Sequence, residues 1–99
     1  MTKKIYEFSA SKNQLLIKER HISFEEIVAA LDNGQLLDII KQPNSNKYPN
    51  QKMYVVLISG YAYLVPFVEK DKNTVFLKTI FPSRKATKQY LKNEVPHEG

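Results

Sequence analysis

The stretch Lys52 to Glu69, KMYVVLISGYAYLVPFVE, does most to limit what this chain can fold into. Residues 52 to 58 are nearly continuous in apolar side chains, as a central strand covered on at least one face would be. Ser59-Gly60 supplies a two-residue turn, so residues 61 to 69 return beside the first run as an antiparallel hairpin. Pro66 has no N–H to give to a ladder, which predicts an edge or a bulge at that point. Residues 70 to 73, KDKN, turn the chain again into 74 to 80, where Phe76, Lys78 and Ile80 alternate with Val75, Leu77 and Thr79.

Ahead of the hairpin the period is helical. Residues 3 to 8, KIYEFS, alternate well enough for a short strand. Ser11 to Gln14 then has capping-box spacing for a weakly amphipathic helix with Leu15 and Leu16 on its apolar edge, ended by Arg20-His21. A second box, Ser23 to Glu26, opens the best helix of the chain. Ile22 and Ile27 sit at staple positions, Phe24, Ile27, Val28 and Leu31 form one apolar stripe, and Asn33-Gly34 stops it. After Gly34, LLDII at 36 to 40 reads as a strand, followed by a polar loop rich in Pro and Asn. Pro82 ends the strand that begins at Thr74, and Ser83 caps a last helix running to about Asn93. The order β-α-α-β-β-β-β-α predicts an α+β domain over 1–94 with a largely antiparallel sheet, its helices packed on one face, and a frayed tail over 95–99.

Charge is the informative part of the composition. The net charge is +5, and from Lys72 to Asn93 there are six basic residues and no acidic one, so the excess is local. Such asymmetry points to a polyanionic partner: nucleic acid, an acidic protein or a membrane surface. With no cysteine, disulfides and thiolate chemistry are excluded. The N-terminal residues lack the apolar core of a signal peptide and no apolar run approaches a membrane span, which leads to the expectation of a soluble, cytoplasmic protein. Two histidines, His21 and His97, without ligand spacing leave metal binding unsupported, and three glycines build no phosphate loop, so no cofactor is expected.

On the last helix Arg84, Lys85, Lys88 and Lys92 fall within one sector of about 100°, while Ala86 and Tyr90 point away toward the sheet. Arg84 and Lys85 occupy the first turn, where the helix dipole costs a cation about 0.3–1 kcal/mol. Free N–H groups there, flanked by two cations, suit a phosphate. A solvated lysine face that keeps a small domain soluble fits the same pattern. Metal-free RNA cleavage needs the 2′-hydroxyl aligned with its phosphate, a base, an acid, and cations for the developing charge. His21, with an unperturbed pKa near neutrality, is a candidate proton carrier, though a histidine that merely terminates a helix is the other reading. Lys18, Arg20, Lys52, Arg84 and Lys85 are candidate charge stabilisers, and Tyr48, Tyr54 and Tyr90 are available to stack or donate.

Two segments carry a family resemblance. Ile22-Ser-Phe-Glu-Glu-Ile27, preceded by Lys18 and Arg20-His21, and Ile80-Phe-Pro-Ser-Arg-Lys-Ala-Thr-Lys-Gln-Tyr90 resemble the signature segments of BrnT-type toxins, small bacterial toxins of type II toxin-antitoxin pairs related in fold to RelE and ParE. The resemblance extends from about Lys4 to Leu91. It implies a RelE-like fold, a ribonuclease that stops translation by cutting mRNA, free or on the ribosome, a cognate antitoxin partner, operator DNA bound only through that antitoxin, and no membrane. By carry-over Arg84 and Lys85 would hold substrate phosphate, and the basic residues at the end of the first helix, Lys18 and Arg20, would face the same groove; the residues themselves add His21, Lys52 and Tyr90 as catalytic candidates and Tyr48, Lys78, Lys88 and Lys92 as RNA contacts. Where the family pattern has His-Gly ahead of Ile-Ser-Phe, this chain has Arg20-His21, so His21 stands at the glycine position. Lys52 stands where the family has arginine. A non-catalytic nucleic-acid-binding module and a protein-interaction domain that receives an acidic segment remain as alternatives to the toxin.

Overall fold

The computed structural model describes residues 4–41 and 51–91. The elements run β1 (Ile5–Glu7), α1 (Ala10–Arg20), α2 (Phe24–Asp32), β2 (Leu36–Lys41), β3 (Lys52–Ile58), β4 (Tyr61–Glu69), β5 (Thr74–Leu77), β6 (Phe81–Pro82) and α3 (Arg84–Leu91). This is the α+β order expected, with the last expected strand broken in two. The proposed tail, the loop 42–50, Tyr48, Lys92 and His97 lie outside the described residues.

The sheet order is β1-β5-β4-β3-β2, with β6 also on β4. All pairs are antiparallel except β1 with β5, which is parallel. The β3–β4 hairpin closes at Ile58 opposite Tyr61, and Ser59 (φ 53°) and Gly60 (φ 77°) both take positive φ, as a type I′ turn requires.

Pro66 is not on an edge strand, since β4 has neighbours on both sides, but it does face an irregularity of the bulge kind: between the Phe67–Leu77 and Leu64–Phe81 pairs, residues 65 and 66 stand opposite three residues, 78 to 80. β5 leaves β4 at Leu77, opposite Phe67, and β6 rejoins it at Phe81, opposite Leu64. The Pro66 carbonyl accepts from Lys78 N at 2.8 Å, so the proline nitrogen, which points to the same side of the strand, faces the break. Its missing donor costs the ladder nothing there.

The two faces of the sheet carry different helices. Under α1 and α2, Leu16, Ile22, Phe24 and Ile27 pack on Tyr54, Val56, Val65, Phe67, Val75, Leu77 and Ile80, with Tyr54 stacked on Phe67 at 4.0 Å between ring centroids. On the reverse face Ala86 packs with Val55 and Ala62, flanked by Leu37, Ile40, Leu64 and Tyr90. The expectation of all helices on one face is therefore corrected, because α3 covers the other. Alternation alone assigns Val55 and Tyr54 to opposite faces; it does not say on which face a helix that follows the sheet will land.

Local chemistry fixes each helix. Ser9, not Ser11, caps α1 by accepting from Lys12 N, because the helix starts one residue before the expected box. Ser23 and Glu26 form the reciprocal box at α2. Buried Asn13 ties the two helices together, its carbonyl accepting from Phe24 N at 2.7 Å and its amide donating to Glu25 at 2.8 Å. For α3, Ser83 Oγ accepts from Ala86 N, and Ala62 offers both backbone groups: its carbonyl accepts from Ser83 N and its N–H donates to Thr87 Oγ1 at 2.9 Å. Thr87 thus continues the β4 ladder where β6 ends.

Thr87→Val removes that acceptor and leaves a part-buried N–H unpaired, so unfolding free energy should fall by about 1–3 kcal/mol. Thr87→Ser should retain most of it; urea titrations of the three proteins read the difference.

Candidate nucleic-acid interface

The first turn of α3 is built as the sequence suggests. Ser83 caps it, Arg84 and Lys85 follow, and both are exposed. Beneath the helix lies a groove of ≈ 270 Å³ lined by Ile40, Met53, Val55, Leu64, Ser83, Lys85, Ala86, Gln89 and Tyr90. Its floor is aliphatic sheet surface, and its rim is the α3 side chains. Among the described residues neither Lys85 nor Gln89 has a hydrogen-bond or ion-pair partner. By contrast Lys70 is paired with Glu7 at 2.6 Å, and Lys4 donates to the Lys72 carbonyl.

At the far end of the groove Tyr90 donates its hydroxyl to Asp38 at 2.6 Å. Asp38 also accepts from Ile39 N. The tyrosine bond first, then the backbone donor, hold the Asp38 carboxyl below the ordinary carboxylate range; the same bond, with burial and the aspartate's charge behind it, pushes the Tyr90 phenol above its ordinary value. Tyr90 thus directs its proton at Asp38, and its ring forms a wall of the groove.

The remaining sequence candidates do not join this groove. Lys18 and Arg20 end α1 and His21 caps it, on the opposite face of the sheet, and none of the three lines the groove. Arg20 reaches round to the sheet edge, where its guanidinium donates to the Ile80 carbonyl at 2.6 Å, four residues ahead of Arg84. His21 is the left-handed C-cap of α1 (φ 58°, ψ 35°), its N–H bonded to Ile17 O. That conformation is one glycine adopts freely and other residues only at a cost, which gives His21 a structural position where the family pattern has glycine. Lys52 shares the face of Tyr54 and sits directly opposite Lys41, a like-charge pair that destabilises the hairpin mouth. Lys78 donates its backbone N–H to Pro66 and is exposed on the β5–β6 connection; Lys88 is exposed on α3 outside the groove. Tyr54 is core, and burial, followed by the nearby Tyr6 and Glu69, raises its phenol far above the ordinary range. Of the five catalytic candidates, the groove brings together Lys85 and Tyr90.

Asp38 and Gln89 carried no functional expectation. Asp38 was legible only as a polar interruption of the apolar run 36 to 40. Gln89 lies at i+4 from Lys85 and so shares its face, a spacing that could have flagged it. Tyr61 and Tyr63, whose rings meet edge to face at 5.8 Å beside Pro82, are part-exposed aromatics that the sequence reading also passed over. A second hollow of ≈ 330 Å³, between α2 and the end of β3, has Glu26 as its one charged lining residue and does not suit an anion.

No protein-family model matches the chain, and no curated protein matches it in sequence. Among solved structures, the Brucella abortus ribonuclease toxin BrnT superposes with a TM-score of 0.56 at 13% identity, over 84% of this chain and 97% of that one. This chain has the BrnT fold. At this identity the likeness is one of fold, and it speaks to architecture and not to side chains. Among the described residues no helix is long and apolar enough to cross a membrane.

Two substitutions test these positions. His21→Gly should raise stability by about 1 kcal/mol by removing the left-handed penalty, read by thermal unfolding; any accompanying loss of RNA cleavage would assign the imidazole a chemical role after all. Asp38→Asn should bring the Tyr90 phenol back toward 10.0, read by ultraviolet titration above neutrality. Because Asp38 titrates below its unfolded value, its contribution to stability is present above the ordinary carboxylate range and fades as pH falls through the folded value. The Tyr90 contribution has the opposite sign, present below the ordinary phenol value and lost as pH rises through the folded one.

Proposed function

We propose that this chain is an endoribonuclease toxin of a type II toxin-antitoxin pair, acting in the cytoplasm on mRNA and neutralised by a cognate antitoxin that alone would contact operator DNA. The observation that carries the reading is the architecture shared with a ribonuclease toxin over 84% of the chain. Support comes from two cations at the head of α3, Arg84 and Lys85, which have no partner among the described residues, one of them on the rim of a groove.

In this reading the 2′-hydroxyl oxygen of one ribose attacks the adjacent phosphorus while the 5′-oxygen bond breaks. A proton leaves the 2′-hydroxyl and another reaches the departing 5′-oxygen, giving a 2′,3′-cyclic phosphate and a 5′-hydroxyl end. Arg84 and Lys85 hold the non-bridging oxygens, whose charge grows in the transition state, so that cations take the electrostatic share of the work without a metal. Lys18, Arg20, Lys52, Lys78 and Lys88 then act at a distance, raising the local concentration of a polyanion.

A second reading, RNA binding without cleavage, is favoured by one feature: Lys85 and Tyr90 are the titratable residues lining the groove, and Tyr90 directs its proton to Asp38. Incubating purified protein with a structured and an unstructured RNA separates the two. The nuclease reading expects fragments ending in cyclic phosphate and growth arrest on expression, with Arg84→Ala plus Lys85→Ala lowering the rate by about 10²–10³ at unchanged thermal stability. Intact RNA after prolonged incubation, with salt-sensitive binding retained, supports binding alone.

A further inference from the structure

The groove under α3 has features that phosphate binding does not account for. A phosphate needs donors and charge, and two cations at the helix head supply both. It has no use for a ≈ 270 Å³ hollow floored by Ile40, Met53, Val55 and Leu64. Ligand pockets generally combine such an apolar lining with a few polar groups that fix orientation, and this volume lies near the lower limit of about 300 Å³ for small-molecule sites. The space can take one planar ring.

The rim selects among planar groups. Lys85 and Gln89 stand one helical turn apart on the same side of α3, both without partners among the described residues. A lysine ammonium at that spacing can meet a phosphate while the carboxamide, with a donor and an acceptor side by side, meets the polar edge of the ring attached to it. The Tyr90 ring forms the far wall, and its hydroxyl bond to Asp38 holds it in place. An apolar face, a hydrogen-bonding edge and an anion one sugar away describe a nucleotide. Single-stranded RNA offers such groups, with unstacked bases that can turn into a pocket.

We propose that the groove between α3 and strands β2 to β4 is a base-binding subsite for single-stranded RNA, in which Gln89 reads the base edge, Tyr90 and the aliphatic floor take its faces, and Lys85 holds the adjoining phosphate. The inference rests on the RNA-directed reading above and deepens it: Gln89 becomes the residue that sets sequence preference.

The experiment is a methyl and amide NMR titration of the full chain with four uncleavable 2′-O-methyl trinucleotides that differ in the central base, and with inorganic phosphate. The trinucleotides should shift the Val55 and Leu64 methyls and the Gln89 side-chain amide, to different extents for the four bases, while inorganic phosphate should move only the first turn of α3. Gln89→Ala should weaken the preferred trinucleotide about fivefold and flatten the ranking; Lys72→Ala, a charge change on the β4–β5 turn, should leave the ranking as it was. Identical responses to phosphate and trinucleotide, shifts confined to Lys18–His21, an unchanged ranking in Gln89→Ala, or no binding at millimolar ligand each overturn the inference. Groove shifts without cleavage of the unmodified RNA would leave the subsite standing and sink the nuclease reading, and cleavage without groove shifts would do the reverse.

Discussion

The architecture depends on how β4 changes partner at Pro66. β4 lies against β3 along its whole length, but on its other side β5 ends opposite Phe67 and β6 begins opposite Leu64. A central strand with an ordinary residue at 66 would present an unsatisfied N–H to that break, at a cost comparable to a lost hydrogen bond. Proline has none to present. In the space so released the chain buries Ile80 among the side chains under α1 and α2, then carries Phe81 and Ser83 past β4 and lays α3 on the reverse face. The Arg20 guanidinium covers the Ile80 carbonyl at the crossing, and Ala62 binds both Ser83 and Thr87 on the far side.

The functional consequences follow from that crossing. A helix returned to the face of α1 would have brought Arg84 and Lys85 toward Lys18 and His21, as a single basic cleft. Placed on the other face, α3 instead roofs a strip of sheet whose side chains are Ile40, Met53, Val55 and Leu64, and Lys85 stands on the rim of that apolar hollow. The groove therefore combines a cation on its rim with an apolar hollow. The basic residues of α1 do not line that groove, and any influence they have on an anion bound there acts through the field. That field weakens with salt over a length of about 8–10 Å, whereas contacts inside the groove are less screened.

Much of the local structure was legible in the residues. The box at Ser23 and Glu26, the turn at Ser59-Gly60 and the cap at Ser83 were each identified from side chains that bond to backbone within a few positions, and each is present. Shifts occurred where two similar residues competed. Ser9 and Ser11 both lie before the first helix, and the choice fell to Ser9, which lets Asn13 reach Phe24. Within the candidate site, the exposure of Arg84 and Lys85 followed from the helix period, but the bond from Tyr90 to Asp38, 52 positions apart, could not be read from any spacing. Tyr54 shows the same limit from the other side, since nothing local distinguishes a tyrosine that stacks on Phe67 in the core from one that faces a ligand.

By itself the sequence determined the elements, their order, the hairpin register set by its two-residue turn and the gathering of positive charge at the last helix, because each of these depends on neighbours a few residues apart. Which face of the sheet that helix would occupy, and hence which cations could act together, was decided only by the tertiary structure. The reason is physical: the face is chosen by contacts between residues far apart in the chain, Ala62 with Thr87 and Asp38 with Tyr90, whose partners no periodicity announces.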